Sequence, residues 1–181
     1  MADSLLLICG SVRAGSTNAA VLRTAGLLAP AGVAVSDYDE LAVLPHFNPD
    51  HDGEHLPDAA ARLRRRLGEA DALLFSTPEY AGALPGSFKN LLDWSVGGGE
   101  MSGKPVGWLN CAWGGPSRAA GAYAELRTVL TYTDARIVEA ACLQVPVTRA
   151  DLGPDGLVSD PAARDRLAAA VAALVTAART A

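Results

Sequence analysis

Short apolar segments alternate along this chain with longer segments in which apolar residues recur at helical spacing. The apolar segments cover residues 5–9, 33–35, 72–76, 106–111 and 136–141. Residues 5–9 are apolar without alternation, which is typical of a strand that is buried on both faces of a sheet. The pattern therefore predicts five strands, of which the first is buried on both faces of the sheet.

Helical periodicity predicts a helix after each of these strands. In the first helix, Val21, Leu22 and Ala25 form an apolar stripe, and either Ser16 or Thr17 can cap its start. The other predicted helices cover residues 58–70, 85–94, 119–131 and 161–179, and residues 44–50 are predicted to form a long polar loop.

The alternation of strands and helices predicts an α/β fold with a parallel sheet covered on both faces. Five strands favour the flavodoxin-like three-layer sandwich, with the strand order 2-1-3-4-5, over the dinucleotide-binding order. Residues 1–181 contain no repeat or linker and are expected to form a single domain. In either order, ligands bind beyond the carboxyl ends of the strands, where the strand order reverses.

The net charge and the hydropathy of the chain argue against nucleic acids and membranes as binding partners. The net charge of −5 argues against a nucleic-acid-binding protein, which needs a clustered excess of Lys and Arg. The basic run at residues 64–66 is predicted to be a solvated helix face. No apolar stretch approaches a membrane span, and residues 5–9 are too short for a signal peptide core, so no membrane partner is expected.

The cysteine pattern indicates the compartment. Cys9, Cys111 and Cys142 are far apart in the sequence and form no C-x-x-C motif. Each lies in or beside an apolar strand, so we expect buried, reduced thiols and a cytoplasmic location.

The loop after the first strand, residues 10–18, combines the hydroxyls of Ser11, Ser16 and Thr17 with the guanidinium of Arg13. A phosphate there can bind the free N–H groups of the following helix, the hydroxyls and the guanidinium. The loop matches neither G-x-x-x-x-G-K-[ST] nor G-x-G-x-x-G, so a nucleoside triphosphate or a standard dinucleotide fits poorly. The alternative is an ordinary polar turn with a helix cap.

Two further loops are expected at the same edge of the sheet. In residues 77–86, two prolines bracket an aromatic residue and a glycine, which predicts a stiff loop whose backbone could face a planar ring. The third loop, residues 112–115, follows the fourth strand. Together the three loops suit a long, flat, phosphorylated ligand. Taken alone, residues 78–85 could be a structural turn.

These loops resemble the motifs of one family. Residues 10–18 match G-S-x-R-x-x-S-x-N, residues 77–94 are similar to T-P-E-Y-N-x-x-x-P-G-x-L-K-N-x-x-D-W, and residues 44–50 match L-P-x-[YF]-N-P-D. The combination resembles the NADPH-dependent FMN reductase family, which includes quinone, chromate and azo-dye reductases. The resemblance runs in register from the first strand to at least Arg127.

The resemblance implies an enzyme that binds FMN, takes hydride from NADPH or NADH and reduces a small-molecule acceptor. The acceptor would be a quinone, an azo or nitro compound, a metal oxyanion or free flavin. It also implies a homodimer or homotetramer with the flavin sites near subunit contacts. Hydride transfer to a flavin requires no protein acid or base, so no catalytic residue is assigned. The implied cofactor-binding residues are Ser11, Arg13, Ser16, Thr17 and Asn18 for the phosphate and ribityl chain, Pro78, Glu79, Tyr80, Ala81 and Gly82 beside the isoalloxazine ring, and Ala112 and Trp113 at a third edge.

The sequence departs from the family pattern at three places. Ala81 replaces the usual Asn, so any side-chain bond from that position to the flavin is absent. Trp113 is bulkier than expected, and the family's glycine pair before the fourth helix is matched only loosely, at residues 114–115 or around Gly121. These changes affect the expected acceptor more than the flavin.

Other interpretations remain open. A flavodoxin-type electron carrier without turnover of its own, or a non-flavin phosphate binder, could use the same fold. His46, His51 and His55 lie among acidic residues, but their spacing does not preset a tetrahedral site and no metal is predicted. Lys89 and Asn90 are expected to serve the start of a helix, and residues 93–94 to pack locally.

Overall fold

The computed structural model of the protein describes residues 3–112 and 119–180. A parallel sheet of five strands in the order β2-β1-β3-β4-β5 lies at its centre. This confirms the predicted flavodoxin-like order. The strands are β1 Ser4–Cys9, β2 Ala34–Tyr38, β3 Ala72–Ser76, β4 Pro105–Asn110 and β5 Arg136–Gln144, and the helices are α1 Thr17–Leu27, α2 Asp58–Glu69, α3 Gly86–Trp94, α4 Ala120–Tyr132 and α5 Pro161–Arg179.

An apolar core lies on each face of the sheet. One contains Leu63 of α2, Phe88 of α3 and Leu126 of α4, all fully buried. The other contains Val21 of α1 and Leu167 of α5. The described residues thus form the three layers that the alternating pattern predicts. Because all five strands are parallel, their carboxyl ends lie at the same edge of the sheet.

The two edge strands are longer than predicted. Strand β2 continues to Tyr38 through polar residues, four of its five positions are exposed, and it pairs only with β1. Strand β5 continues to Gln144 after an irregularity in its pairing with β4. An edge strand has fewer neighbours to bury its side chains, so hydrophobicity does not mark where it ends.

The arginines of α2 do not form a solvated face as predicted. Arg64 forms an ion pair with Asp52 and donates a hydrogen bond to the carbonyl of Trp94 at 2.8 Å, and its side chain is only 13% exposed. Arg66 donates to the carbonyl of Asp37. Only Arg65 of this run is exposed to solvent. Arg64 and Arg66 therefore connect α2 to α3, to β2 and to the segment that contains Asp52.

The loop at residues 44–50 is held in place by α3, and it runs into a 3₁₀ turn at Pro49–His51. The amide of Asn90 accepts from the N–H of Phe47 at 2.7 Å and donates to the carbonyl of Pro45. The indole of Trp94 donates to the same carbonyl and contacts the Phe47 ring edge-on. The prediction that Asn90 serves the start of the helix is therefore wrong.

Candidate cofactor-binding site

Two cavities flank the loop at residues 10–18, one on each side. The central cavity has a volume of about 400 Å³ and lies where the strand order reverses between β1 and β3. Its lining comes from the loops after β1, β3, β4 and β5: Arg13, Gly15, Thr17, Asn18, Thr77, Pro78, Glu79, Cys111, Ala112, Ala119, Val147, Thr148 and Arg149. The second cavity lies on the β2 side of the same loop and includes Ser11, Arg13 and Ser16.

The N-terminus of α1 opens into the central cavity. Ser16 is the N-cap residue, but its side chain makes no capping hydrogen bond, contrary to one alternative from the sequence. The first turn of α1 contains no acidic residue. Because the first N–H groups of a helix lack partners within the helix, this uncapped end favours an anion. Thr17 lies at this end of the cavity.

Two guanidinium groups face this end of the cavity. Arg13 comes from the loop after β1, and Arg149 comes from a short 3₁₀ turn that follows β5. A guanidinium nitrogen of Arg149 lies 3.0 Å from the point where a side chain on Gly15 would begin. Among the described residues, neither guanidinium forms an ion pair or a hydrogen bond. Both charges are therefore available to a bound anion.

Asn18 joins the ends of three structural elements beneath this cavity. Its side-chain oxygen accepts from the hydroxyl of Ser76 at 2.8 Å and from the thiol of Cys111 at 3.1 Å. Burial raises the pKa of Cys111 to about 11, so at neutral pH the thiol keeps the proton that it donates. Asn18 therefore lines the predicted site, but its oxygen serves the fold.

Residues 80–83 form a tight turn. Tyr80 and Ala83 exchange two backbone hydrogen bonds of 3.0 and 3.1 Å. Both intervening residues have positive φ, 53° at Ala81 and 77° at Gly82, as in a type I′ turn. The three predicted residues Tyr80, Ala81 and Gly82 are exposed and line neither cavity. The departure at Ala81 therefore has a conformational consequence, because Asn adopts positive φ more readily than Ala.

We expect Ala81→Asn to stabilise the protein by about 1 kcal/mol, because a left-handed conformation costs an ordinary L-residue roughly 1–2 kcal/mol and Asn less. The midpoint of urea unfolding should rise with no change in its slope. The matched control is Ala150→Asn, an exposed alanine without positive φ, which should not raise the midpoint. An equal rise for both variants would contradict this explanation.

Helix α4 holds the loop after β3 in position. The carboxylate of Glu79 accepts from the N–H of Ala122 at 3.0 Å, and that of Glu125 accepts from the N–H of Leu84 at 2.7 Å. The hydroxyl of Tyr123 accepts from the N–H of Thr77 and donates to a β4 carbonyl. Glu79 was predicted to border the flavin. In the structure its carboxylate caps the N-terminus of α4.

Gly121 allows the closest contact between α4 and this loop. A β-carbon at position 121 would lie 2.0 Å from the carbonyl oxygen of Gly82. Only glycine can occupy this position without moving the loop. Of the sequence alternatives for the family's glycine pair, residues 114–115 and Trp113 lie outside the described residues.

Sequence reasoning missed several residues of this site. Arg149 and Thr148 follow β5, and the rule that ligands bind at the carboxyl ends of strands could have pointed to them. Tyr123 and Glu125 lie on α4, and their hydrogen bonds to the β3 loop span more than forty residues. No local pattern indicates contacts of that range.

The central cavity fits FMN by its chemistry. Its size lies within the usual range for small-ligand sites, roughly 300–1,000 Å³. One end offers the uncapped N-terminus of α1 and the guanidinium groups of Arg13 and Arg149 for a phosphate, and the other offers the loops after β3 and β4 for a planar ring. Where the chain is described, no group of three or more His, Cys, Asp or Glu residues could hold a metal, and no helix is long and apolar enough to cross a membrane.

Comparisons with known proteins agree with this geometry. Residues 4–148 match the model of the NADPH-dependent FMN reductase family. The chain is 32% identical to an NAD(P)H-dependent FMN reductase of Pseudomonas aeruginosa, over 91% of this chain and 90% of the other, and 31% identical to a quinone reductase of Escherichia coli, over 74% and 72%. The structure of FerB, a flavoenzyme NAD(P)H:(acceptor) oxidoreductase from Paracoccus denitrificans, superimposes with a TM-score of 0.82 at 26% identity, covering 98% of both chains.

These matches confirm the fold and the flavin- and NAD(P)H-dependent oxidoreductase function that the motifs predicted. With a family model that covers most of the sequence, the chain belongs to the NADPH-dependent FMN reductase family.

Proposed function

We propose that the central cavity holds FMN, with its phosphate at the N-terminus of α1 and its ring beside the loops after β3 and β4. The observation that carries this assignment is the pair of guanidinium groups, Arg13 and Arg149, which have no ion-pair or hydrogen-bond partner among the described residues and line the cavity at an uncapped helix end. A phosphate monoester carries about −1.5 to −2 charges at pH 7, which two guanidinium groups and a helix N-terminus can neutralise.

A bound FMN would supply the redox chemistry, namely hydride acceptance from NAD(P)H and two-electron reduction of the acceptor. The chain supplies binding and orientation. Thr17 offers a hydroxyl to the phosphate, and Pro78 and Ala112 limit the ring from two sides. Helix α4 positions the backbone beside the proposed ring site through two hydrogen bonds at the ends of the turn at residues 80–83. Glu79 accepts from the N–H of Ala122 on α4, and Glu125 of α4 accepts from the N–H of Leu84.

We further propose a quinone or a similar small molecule as the acceptor, because relatives at about the same level of identity are named quinone reductases. We propose that Tyr80, which is 53% exposed at the start of the turn and follows the cavity-lining residues Pro78 and Glu79, contacts such an acceptor. Its ring offers an apolar face and a hydroxyl, both of which suit a quinone.

Cofactor analysis and turnover test the proposal together. Acid-denatured protein should release FMN, one per chain, and the loaded protein should oxidise NADH or NADPH continuously when a benzoquinone is supplied. Release of FAD, or protein that takes up no FMN, would overturn the cofactor assignment. FMN binding with a single reduction event and no continuing turnover would indicate an electron carrier instead.

Self-association is part of the proposal. Val12 and Val43 are 58% and 67% exposed on segments near the carboxyl edge of the sheet, and α3 keeps the neighbouring loop at residues 44–50 rigid. We expect a homodimer or homotetramer at micromolar concentration in sedimentation velocity. Sedimentation as a monomer across that range would contradict it.

We also propose a cytoplasmic location. Cys111 is buried at the base of the central cavity and its raised pKa keeps it a thiol. A reducing compartment keeps such thiols in that form.

A further inference from the structure

The segment at residues 145–159 lies between β5 and α5 and brings Arg149 to the phosphate end of the central cavity. There the guanidinium of Arg149 lies close to Gly15 in the loop after β1. The family model matches residues 4–148, so it assigns no role to Arg149 or to the residues that follow it. The contacts that hold this arginine in place must therefore be read from the segment itself.

Hydrogen bonds fix both ends of this segment. Near its start, the N–H of Val147 donates to the carbonyl of Cys111 at 3.1 Å, just after β4. Near its end, Val158 forms an antiparallel bridge with Leu152, and its N–H donates to the hydroxyl of the fully buried Thr24 on α1 at 3.0 Å. The segment is thus attached to the sheet and to α1, and its 3₁₀ turn lies between the two attachments.

Asp151 closes this 3₁₀ turn with its side chain. Its carboxylate accepts from the N–H and from the hydroxyl of Thr148, both at 2.7 Å, as in a capping box. The hydrogen bonds from the hydroxyl and the N–H of Thr148 hold the pKa of Asp151 below its usual range, so the side chain is ionised at neutral pH. The carbonyl of Asp151 accepts from the hydroxyl and the N–H of Ser159 at 2.8 and 3.0 Å. Asp151 therefore fixes the turn on two sides, and with it the direction in which Arg149 leaves the backbone.

We propose that Asp151 is a positioning residue for cofactor binding: it holds the turn in the conformation that directs the guanidinium of Arg149 to the phosphate of FMN. The inference rests on the proposed function, because it requires the phosphate to lie at the N-terminus of α1. An arginine on a fixed turn loses less conformational freedom on binding than one on a flexible loop, so the capping box increases phosphate affinity. It also makes the site more selective for FMN over riboflavin, which has the same ring and ribityl chain but no phosphate.

The charge of Asp151 and its hydrogen bonds should affect FMN binding in opposite directions. A carboxylate two residues from a phosphate-binding arginine repels a phosphate dianion, so loss of the charge alone would strengthen binding. Loss of the capping box would weaken binding, because Arg149 would no longer be held toward the cavity. The sign of the change in FMN affinity therefore shows which of the two effects is the larger.

Titration of the full-length apoprotein with FMN and with riboflavin, followed by quenching of flavin fluorescence, tests the proposal. The parent should bind FMN at least about tenfold more tightly than riboflavin. Asp151→Ala should weaken FMN binding by about tenfold, as expected when one charge-assisted hydrogen bond is impaired, and should leave riboflavin binding unchanged. In an Arg149→Gln background, Asp151→Ala should cause no further loss of FMN affinity, because Asp151 acts through Arg149. Asp151→Asn, which keeps an acceptor oxygen, should recover part of the affinity.

The matched control is Asp160→Ala. The carboxylate of Asp160 accepts from the N–H of Ala163 at 2.7 Å and caps α5, so this variant also loses a carboxylate cap and some stability. Its affinities for both flavins should equal those of the parent, which separates the positioning of Arg149 from a general loss of stability.

Four results would overturn the proposal: FMN binding by Asp151→Ala as tight as that of the parent or tighter, an equal loss of riboflavin affinity, an equal loss of FMN affinity in the Arg149→Gln background, or an equal loss in Asp160→Ala. Equal binding of FMN and riboflavin by the parent would instead refute the phosphate placement in the proposed function, and this inference with it. A parent that prefers FMN while Asp151→Ala keeps that preference would refute this inference alone.

Discussion

Arg13→Ala is expected to weaken FMN binding by about ten- to a hundred-fold, because a charge-assisted hydrogen bond contributes roughly 1.5–3 kcal/mol. The guanidinium lies in the central cavity and makes no competing ion pair among the described residues. Its loss leaves Arg149 and the α1 N-terminus to hold the phosphate, so binding should weaken without being abolished. Stability of the apoprotein should change by less than about 0.5 kcal/mol, since Arg13 is exposed.

Titration of apoprotein with FMN, followed by quenching of flavin fluorescence, measures this effect. Arg13→Lys should recover only part of the affinity, because an ammonium keeps the charge but not the planar pair of donors. Arg65→Ala is the matched control: Arg65 is the exposed arginine of α2 and lines neither cavity. Equal FMN affinity in Arg13→Ala and Arg65→Ala would remove Arg13 from the phosphate site.

Gly121→Ala is expected to lower the free energy of unfolding by about 1–3 kcal/mol, as overpacking usually does. The added methyl would lie 2.0 Å from the carbonyl oxygen of Gly82, which is backbone and cannot rotate away. The turn at residues 80–83 must therefore move, and the bond from Glu79 to the N–H of Ala122 moves with it. Because that loop borders the proposed ring site, FMN affinity should fall as well.

Chemical denaturation and FMN titration of the same variant separate the two effects. The matched control is Gly86→Ala, near the N-terminus of α3, where an added β-carbon meets nothing within 4 Å. It should neither destabilise the protein nor weaken FMN binding. A Gly121→Ala variant that unfolds and binds FMN like the control would show that α4 does not position this loop.

The sequence by itself predicted the fold, which the structure confirms, and it indicated the loops that line the candidate site. Apolar segments such as residues 5–9 must be covered on both faces, and this requirement, with the alternation of helices, predicts a parallel sheet between two helical layers. The number of strands then favours the observed order over the dinucleotide-binding order. The loop at residues 10–18 could be placed because its hydroxyls, its arginine and the following helix are consecutive in the chain. Of the residues predicted to bind the cofactor, Arg13, Thr17, Asn18, Pro78, Glu79 and Ala112 line the central cavity, whereas Tyr80, Ala81 and Gly82 line neither cavity.

Some residues of the family motifs stabilise the fold, and the sequence pattern alone cannot show whether a motif residue stabilises the fold or binds the ligand. Asn90 and Trp94 belong to a family motif, yet they hold the loop at residues 44–50 through the carbonyl of Pro45. Asn18 lies in the motif at residues 10–18, yet its side-chain oxygen accepts hydrogen bonds from Ser76 at the end of β3 and from Cys111 just after β4. A sequence motif contains both the residues that the fold requires and the residues that the ligand requires. It does not show which residue serves which purpose.

Only the tertiary structure decided which distant residues complete the site. In the folded chain, Arg149, which follows β5, lies next to the loop at residues 10–18, and Gly121 lies against the backbone of Gly82. The tertiary structure also brought Asp37 and Asp39 together with Arg23 in the lining of the second cavity. The physical reason is that local sequence governs backbone propensity and burial over a few residues, whereas these contacts arise when strands from separate parts of the chain end at the same edge of one sheet.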